Sequence, residues 1–342
     1  MRCTIVPPHI LERVVERTDD PALRARALRN LQIDSFTRTG RRLSPSGPAG
    51  NGVRDEPNRT IKDAGHREDL PGDTVRIEGG DPTGDATADR AYDWLGVTFR
   101  FYEDVYDRNS IDNAGMSMIS TVHYGTGYDN AFWNGEQMVY GDGDGVLFTD
   151  FTGPLDVTGH ELTHGVTQHT AGLAYYGQSG ALNESMSDVF GSLIKQYHLG
   201  HTADQADWLI GEGLLAPSVN GVALRSMKAP GTAYDDPELG KDPQPDNMSD
   251  YVRTHSDNGG VHINSGIPNK AFYLASVELG GSSWERAGQI WFDTLTGGEV
   301  FPDANFEDFA AVTLKAAANR YGAGSAEHSA VQNAWSGVGV RT

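Results

Sequence analysis

The sequence predicts an α+β protein: a β-rich half over residues 53–155, a mainly helical half over 156–342, and a small helical module with its linker ahead of both, over 1–52. Three observations carry this reading. Near residue 155 the apolar pattern changes from short runs between turn residues to helical spacing. The stretch Ser44-Pro45-Ser46-Gly47-Pro48-Ala49-Gly50-Asn51-Gly52 has the Gly, Pro and Ser density of an exposed linker. The charge is lopsided: nine Arg against five acids give residues 1–45 a net +4, which leaves -24 for the rest of a chain that totals -20.

In the leading module Asp20-Pro21 opens a helix in the N-cap then N1 order, and Leu23, Ala27, Leu28 and Leu31 follow at helical spacing. Between about 60 and 155, runs such as Thr98-Phe99-Arg100-Phe101-Tyr102 and Met118-Ile119-Ser120-Thr121-Val122-His123-Tyr124 read as strands. Helices are expected over Asp156–Gln168, Leu182–Tyr197, Asn269–Leu279, Trp284–Leu295 and Asn305–Arg320. A strand-rich half followed by a helical half places an active cleft between them.

Composition removes several function classes. At 342 residues and 38% hydrophobic the chain buries a core without staples, and its one Cys excludes an internal disulfide framework. A net charge of -20 opposes nucleic-acid binding. No run approaches the roughly 18 apolar residues of a membrane span. Pro7, Pro8 and His9 stand where a signal peptide would carry its apolar core, so neither a membrane segment nor a leader is expected. Location stays open between the cytoplasm and a leaderless export route. A monomer is expected.

The chemistry concentrates in three segments. His160-Glu161-Leu162-Thr163-His164 lies in a helical stretch, where i and i+4 share a face, so both imidazoles can reach one metal ion while Glu161 reaches its water. Gly180-Ala181-Leu182-Asn183-Glu184-Ser185-Met186-Ser187-Asp188 offers Glu184 as a third ligand, and a His2Glu set leaves one tetrahedral position open, as catalytic zinc requires. Asp188, four residues after Glu184, is placed to fix a ligand histidine's tautomer, although spacing alone reads it equally as a helix-surface acid. The third segment is Asp257-Asn258-Gly259-Gly260-Val261-His262, where a Gly-flanked histidine by itself reads as a loop residue. His169 sits off the His160/His164 face, and Thr167 and Thr170 exclude the metzincin extension. Asp142-Gly143-Asp144-Gly145 reads as a tight turn, since Gly153 stands where an EF-hand needs glutamate.

Together these segments, with Asn130-Ala131-Phe132-Trp133-Asn134-Gly135, the turn at 140–145 and Leu224-Arg225-Ser226-Met227, resemble the thermolysin family of zinc metallopeptidases from about residue 90 to the C-terminus. The resemblance implies a thermolysin-like fold with the zinc cleft between its halves. It makes His160, His164 and Glu184 the zinc ligands, Glu161 the general base, and Asn183 and Asp188 the partners of the ligand histidines. Tyr175 and His262 become transition-state donors, with Asp257 orienting His262. Asn130, Ala131, Trp133 and Arg225 would line the substrate backbone. Phe148, Phe151, Val157, Ile210 and Leu224 would form the wall that selects a bulky apolar residue after the scissile bond, or would equally be core. The implied activity is zinc endopeptidase hydrolysis of peptides and proteins. The competing readings are a silent metal-binding or interaction protein on the same fold, and an exopeptidase, for which no terminus-holding group is identified.

Two departures stand out. Asp156, Asp207 and Glu212 match the paired calcium site of larger family members, but Lys195 occupies the position of the bridging glutamate, so an ion-pair cluster is expected in place of two Ca2+ ions. The opening Cys3-Thr4-Ile5-Val6-Pro7-Pro8-His9-Ile10-Leu11 resembles the short propeptide of the protealysin-like branch, some of whose members are found outside cells. That resemblance implies a latent precursor inhibited in cis. Cys3 is a candidate latency ligand for the open zinc position, or a small buried apolar residue.

Overall fold

The computed structural model describes residues 3–40 and 56–342, without the side chains of Cys3 and of 36–40. The expected linker at 44–52 and the Cys3 thiol lie outside that description.

The chain opens with a two-residue strand, β1 (Cys3–Thr4), then α1 (Pro8–Arg17) and α2 (Pro21–Gly40). Asp20 caps α2 as expected, accepting from the Ala22 amide at 2.8 Å. The buried stripe differs from the expectation: Leu23 and Ala27 face inward with Asn30, Ile33 and Asp34, whereas Leu28 is exposed.

The N-terminal half carries β2 (Arg59–Asp63), β3 (Asp73–Ile77), α3 (Ala86–Tyr106), β4 (Met118–Val122), β5 (Ala131–Trp133) and β6 (Met138–Tyr140). Thr98–Tyr102, expected as a strand, is part of α3. Its alternation is only five residues long, while Ala88, Ala91, Tyr92, Leu95, Phe99 and Tyr102 bury one helical face, and the Asp85 carboxylate caps the Thr87 and Ala88 amides. The strands form a mixed sheet in the order β1-β5-β6-β4-β2-β3, parallel at β2/β4 and β4/β6. The leading module therefore supplies the edge strand, with Cys3 opposite Trp133 and Thr4 opposite Phe132.

The C-terminal half is helical: α4 (Leu155–Gln168), α5 (Gly177–Leu199), α6 (Asp257–Asn264), α7 (Gly266–Leu279), α8 (Ala287–Thr296), α9 (Phe306–Tyr321) and α10 (Ala326–Gly337), with the two-residue strands β7 (Leu209–Ile210) and β8 (Arg225–Ser226) between α5 and α6. All the helices expected here are present, and α6 and α10 add to them. One apolar cluster joins both halves to Ile5, Val6, Ile10 and Leu11 of the leading module. No helix among the described residues is long and apolar enough to cross a membrane.

Candidate active site

Two adjacent helices build the centre. α4 and α5 cross at glycines: a Cβ on Gly159 would stand 2.8 Å from the Ile194 Cδ1, and one on Gly191 would stand 2.7 Å from the Asp156 carbonyl oxygen. Their backbones can therefore approach closely, which brings Glu184 of α5 against the His160/His164 face of α4. The Nε2 atoms of the two histidines are 3.1 Å apart, and the Glu184 carboxylate oxygens lie 3.5 Å and 3.6 Å from them. All three ligand atoms fall within 4.8 Å of one another and are buried.

The surrounding hydrogen bonds fix what these atoms offer. His160 Nδ1 lies 2.8 Å from Asp188 Oδ1, and His164 Nδ1 lies 2.7 Å from Asn183 Oδ1. The Asn183 amide donates to the Leu173 carbonyl at 3.0 Å, which aims its oxygen at His164. In its neutral form each ring would carry its proton on Nδ1 and present a lone pair on Nε2. Two lone pairs and a carboxylate converging in a buried space repel unless a cation lies between them. The donor set fits zinc.

Burial opposes ionisation of Glu184, but His262, His164, His160 and Arg225 outweigh it and bring its pKa down to about 2. Burial likewise opposes the Asp188 anion, and Arg225 and His160 prevail, holding it well below the usual carboxylate range. Both groups are anions at neutral pH.

Glu161 points into the same space from α4, its Oε2 accepting the Trp133 amide at 2.9 Å. Tyr175, between α4 and α5, donates its hydroxyl to Glu184 Oε1 and lies 3.2 Å from His262 Nε2. His262 is held twice by Asp257, through Nδ1 at 2.6 Å and its backbone amide at 2.8 Å. That grip needs a tight reversal, and Asp257 to Gly260 all adopt positive φ, where glycine at 259 and 260 is unstrained. Burial draws the His262 pKa down, yet Asp257 and Glu184 together raise it above its ordinary value.

The leading module occupies the groups expected to hold a substrate backbone. The Ile5 amide donates to the Ala131 carbonyl at 3.1 Å, and the Ile5 carbonyl accepts from Arg225 Nη1 at 3.0 Å. Val6 is bonded twice by the Asn130 side chain, at 2.9 Å and 3.2 Å. Phe148, Phe151, Val157, Ile210 and Leu224 are fully buried in the apolar cluster that also holds Ile5 and Val6. An open groove of about 820 Å³ lies along α3 beside Trp94 and borders none of these residues.

Three contributors were missed from sequence. His9 reaches the Tyr234 hydroxyl at 3.1 Å. Asp34 accepts from Tyr128 at 2.6 Å and from Asn130 at 2.9 Å, bracing the backbone-binding amide from behind. Its only sequence signal is its position on the stripe of Leu23, Ala27 and Asn30, a polar residue where α2 buries its face. Asn269 donates to Asp188 Oδ2 at 2.8 Å. The ion-pair cluster at Lys195 is present, with its ammonium 2.5 Å from Asp207, 3.2 Å from Glu212 and 3.5 Å from Asp156. Asp142–Gly145 is a turn, Asp144 Oδ1 accepting three successive backbone amides.

Comparison with known proteins agrees with this geometry. Residues 72–168 match the thermolysin metallopeptidase catalytic domain, and residues 171–340 match the thermolysin metallopeptidase alpha-helical domain. An extracellular metalloprotease of Pectobacterium carotovorum subsp. carotovorum is 52% identical over 99% of this chain and 96% of its own. Protease PrtS of Photorhabdus sp. is 46% identical over 98% of this chain and 92% of its own. The solved precursor of protealysin, a metalloproteinase from Serratia proteamaculans, superposes with a TM-score of 0.92 at 52% identity, covering 99% of this chain and 100% of that one. With both domains matched and a converging donor set that could hold one cation, the chain belongs to the thermolysin family of metallopeptidases.

Proposed function

We propose that the chain is a latent zinc endopeptidase that cleaves on the N-terminal side of bulky hydrophobic residues. Residues 1–52 form the removable propeptide and linker, and 53–155 and 156–342 form the two halves of the catalytic unit. The observation that carries this reading is the course of residues 3–6. Their backbone takes the Ala131 carbonyl, the Asn130 amide and the Arg225 guanidinium, the polar groups a substrate backbone would need. Ile5 is buried in the same continuous apolar core as Phe148, Val157 and Leu224, and the preference for an apolar residue there rests on the family resemblance.

A zinc ion held by His160, His164 and Glu184 would supply Lewis acidity, polarising the scissile carbonyl and acidifying water near neutral pH. Glu161 takes a proton from the attacking water and passes it to the leaving amine, and its buried position keeps other water from that transfer. Tyr175 and His262 stand side by side next to Glu184, their hydroxyl and Nε2 3.2 Å apart, where their O–H and N–H can donate to an oxygen gaining negative charge. Loss of one such donor typically costs about 10²- to 10³-fold in rate. Asp257 keeps His262 facing the cleft. Lys195 supplies the positive charge that a paired calcium site would otherwise need.

The test is hydrolysis of an end-blocked peptide with an apolar residue after the scissile bond, before and after removal of the N-terminal segment, with zinc content assayed. Activity should appear on maturation and vanish in Glu161→Gln while zinc is retained. Zinc binding without cleavage of any peptide by any form would sink the proposal.

A further inference from the structure

We propose that Asn269 is a positioning residue for the metal centre, acting through Asp188. The inference rests on the zinc reading above. Asp188 is a fully buried carboxylate held by four donors: His160 Nδ1 and Arg225 Nη2 on Oδ1, each at 2.8 Å, and Arg225 Nε at 2.9 Å with Asn269 Nδ2 at 2.8 Å on Oδ2. Three of these belong to groups with their own place in the site. His160 faces the metal position, and Arg225 grips the carbonyl of Ile5. Asn269 touches neither. It stands in the first turns of α7, and its hydrogen bond to Asp188 spans 81 residues of sequence.

The amide's other end shows what keeps it there. Asn269 Oδ1 is buried and accepts no hydrogen bond among the described residues. A buried unpaired carbonyl is costly, and an apolar side chain of similar volume would avoid that cost if packing were its only role. The position thus carries a donor aimed at Asp188 and tolerates an orphaned acceptor behind it. Without the donor, Oδ2 is held by Arg225 alone. The carboxylate is then free to turn with the guanidinium, and each turn misaligns the His160 ring that it orients. Asn269 therefore couples α7 to both the metal ligand and the substrate-binding arginine.

The test compares wild type with Asn269→Leu, similar in volume and without the donor, as full zinc-loaded chains. Free zinc is set by a chelator series, and the visible spectrum of the cobalt(II)-loaded chain reports ligand geometry. Outer partners of metal ligands are worth about 10- to 100-fold in affinity. As the partner of such a partner, Asn269 should account for about tenfold. The leucine chain should melt near wild type, need about tenfold more free zinc for half-occupancy, and show an altered cobalt spectrum. If it fails to fold, Asn269→Ser takes its place, restoring a donor on a smaller side chain and expected to bind zinc more tightly than Asn269→Ala. A folded leucine chain within twofold of wild type and spectrally unchanged overturns the proposal, as does equal zinc binding by the serine and alanine chains. Failure of wild type itself to bind zinc would instead refute the underlying function.

Discussion

Acid should loosen the N-terminal segment, and His9 should be the cause. Its Nδ1 is covered and has no partner among the described residues, its Nε2 meets the Tyr234 hydroxyl, and part of the residue still reaches water. Burial lowers its pKa from 6.5 to about 4; Asp257 opposes the shift, while His262, Arg225 and Arg13 add to it. A base whose pKa is depressed in the docked state binds protons more weakly there than when released. Docking is therefore unaffected above pH 6.5 and weakens as pH falls through the window from 6.5 to 4. Between pH 7 and pH 5 the loss is at most about 2 kcal/mol, or about 20-fold, with water contact making this an upper bound. The assay is peptide hydrolysis by the precursor divided by that of the matured enzyme at the same pH, so that acid effects on chemistry and metal cancel. The ratio should rise up to about 20-fold in wild type and stay flat in His9→Phe. A flat wild-type ratio, or the same rise in the phenylalanine chain, would refute the reasoning.

Other perturbations test separate parts of the argument. Asp34→Ala removes the acceptor for Tyr128 and Asn130; an intramolecular hydrogen bond is worth about 0.5–1.5 kcal/mol, so precursor activity should rise by about tenfold while matured activity is unchanged. Lys195→Met strands Asp156, whose pKa burial already pushes up to about 6; the melting temperature should drop by an amount corresponding to about 3 kcal/mol. Millimolar calcium should barely move the wild-type midpoint and should stabilise Lys195→Glu. Gly191→Ala would set a Cβ 3.1 Å from the His160 amide nitrogen. Overpacking costs about 1–3 kcal/mol, and both melting temperature and zinc content should fall as α5 backs away from Glu184's partners.

The helices that bring His160, His164 and Glu184 together were legible because their information is local. Two histidines four apart fix a shared face whatever surrounds them, and Glu184 and Asp188 repeat that spacing on the next helix. The segment 98–102 misled because five alternating residues fit a strand while the longer pattern from Ala88 to Tyr102 fits a helix, and the longer pattern buries more. α10 went unseen because its sequence, AEHSAVQNAWSG, has few large apolar residues to mark a period. Asn269, His9 and Asp34 act across 81, 225 and 96 residues respectively. Such contacts exist only after folding, and each of these side chains reads in sequence as an ordinary polar residue. The Lys195 cluster shows the reverse case, where substituting one cation for a bridging carboxylate signals the change in chemistry directly.

If the chain is the latent precursor proposed above, latency and catalysis compete for the same backbone partners, and that competition would make the linker the control point. Residues 3–6 bond to Ala131, Asn130 and Arg225, and Ile5 and Val6 bury their side chains, so a substrate cannot enter without displacing them. While tethered, the segment is present at an effective concentration on the order of millimolar, above ordinary substrate levels. Cutting the tether leaves every contact in place but makes rebinding bimolecular. A nicked chain should therefore remain inhibited when concentrated and become active on dilution, with a half-activation concentration equal to the segment's dissociation constant. The exposed ion pair Arg29–Glu68 contributes little to that constant in salt, and Arg26–Asp144, whose carboxylate is buried, is screened much less, so raising ionic strength should shift it only a few-fold. Activity that appears at the cut and is independent of dilution would mean that cleavage itself rearranges the site, and competition for the cleft would no longer explain the latency.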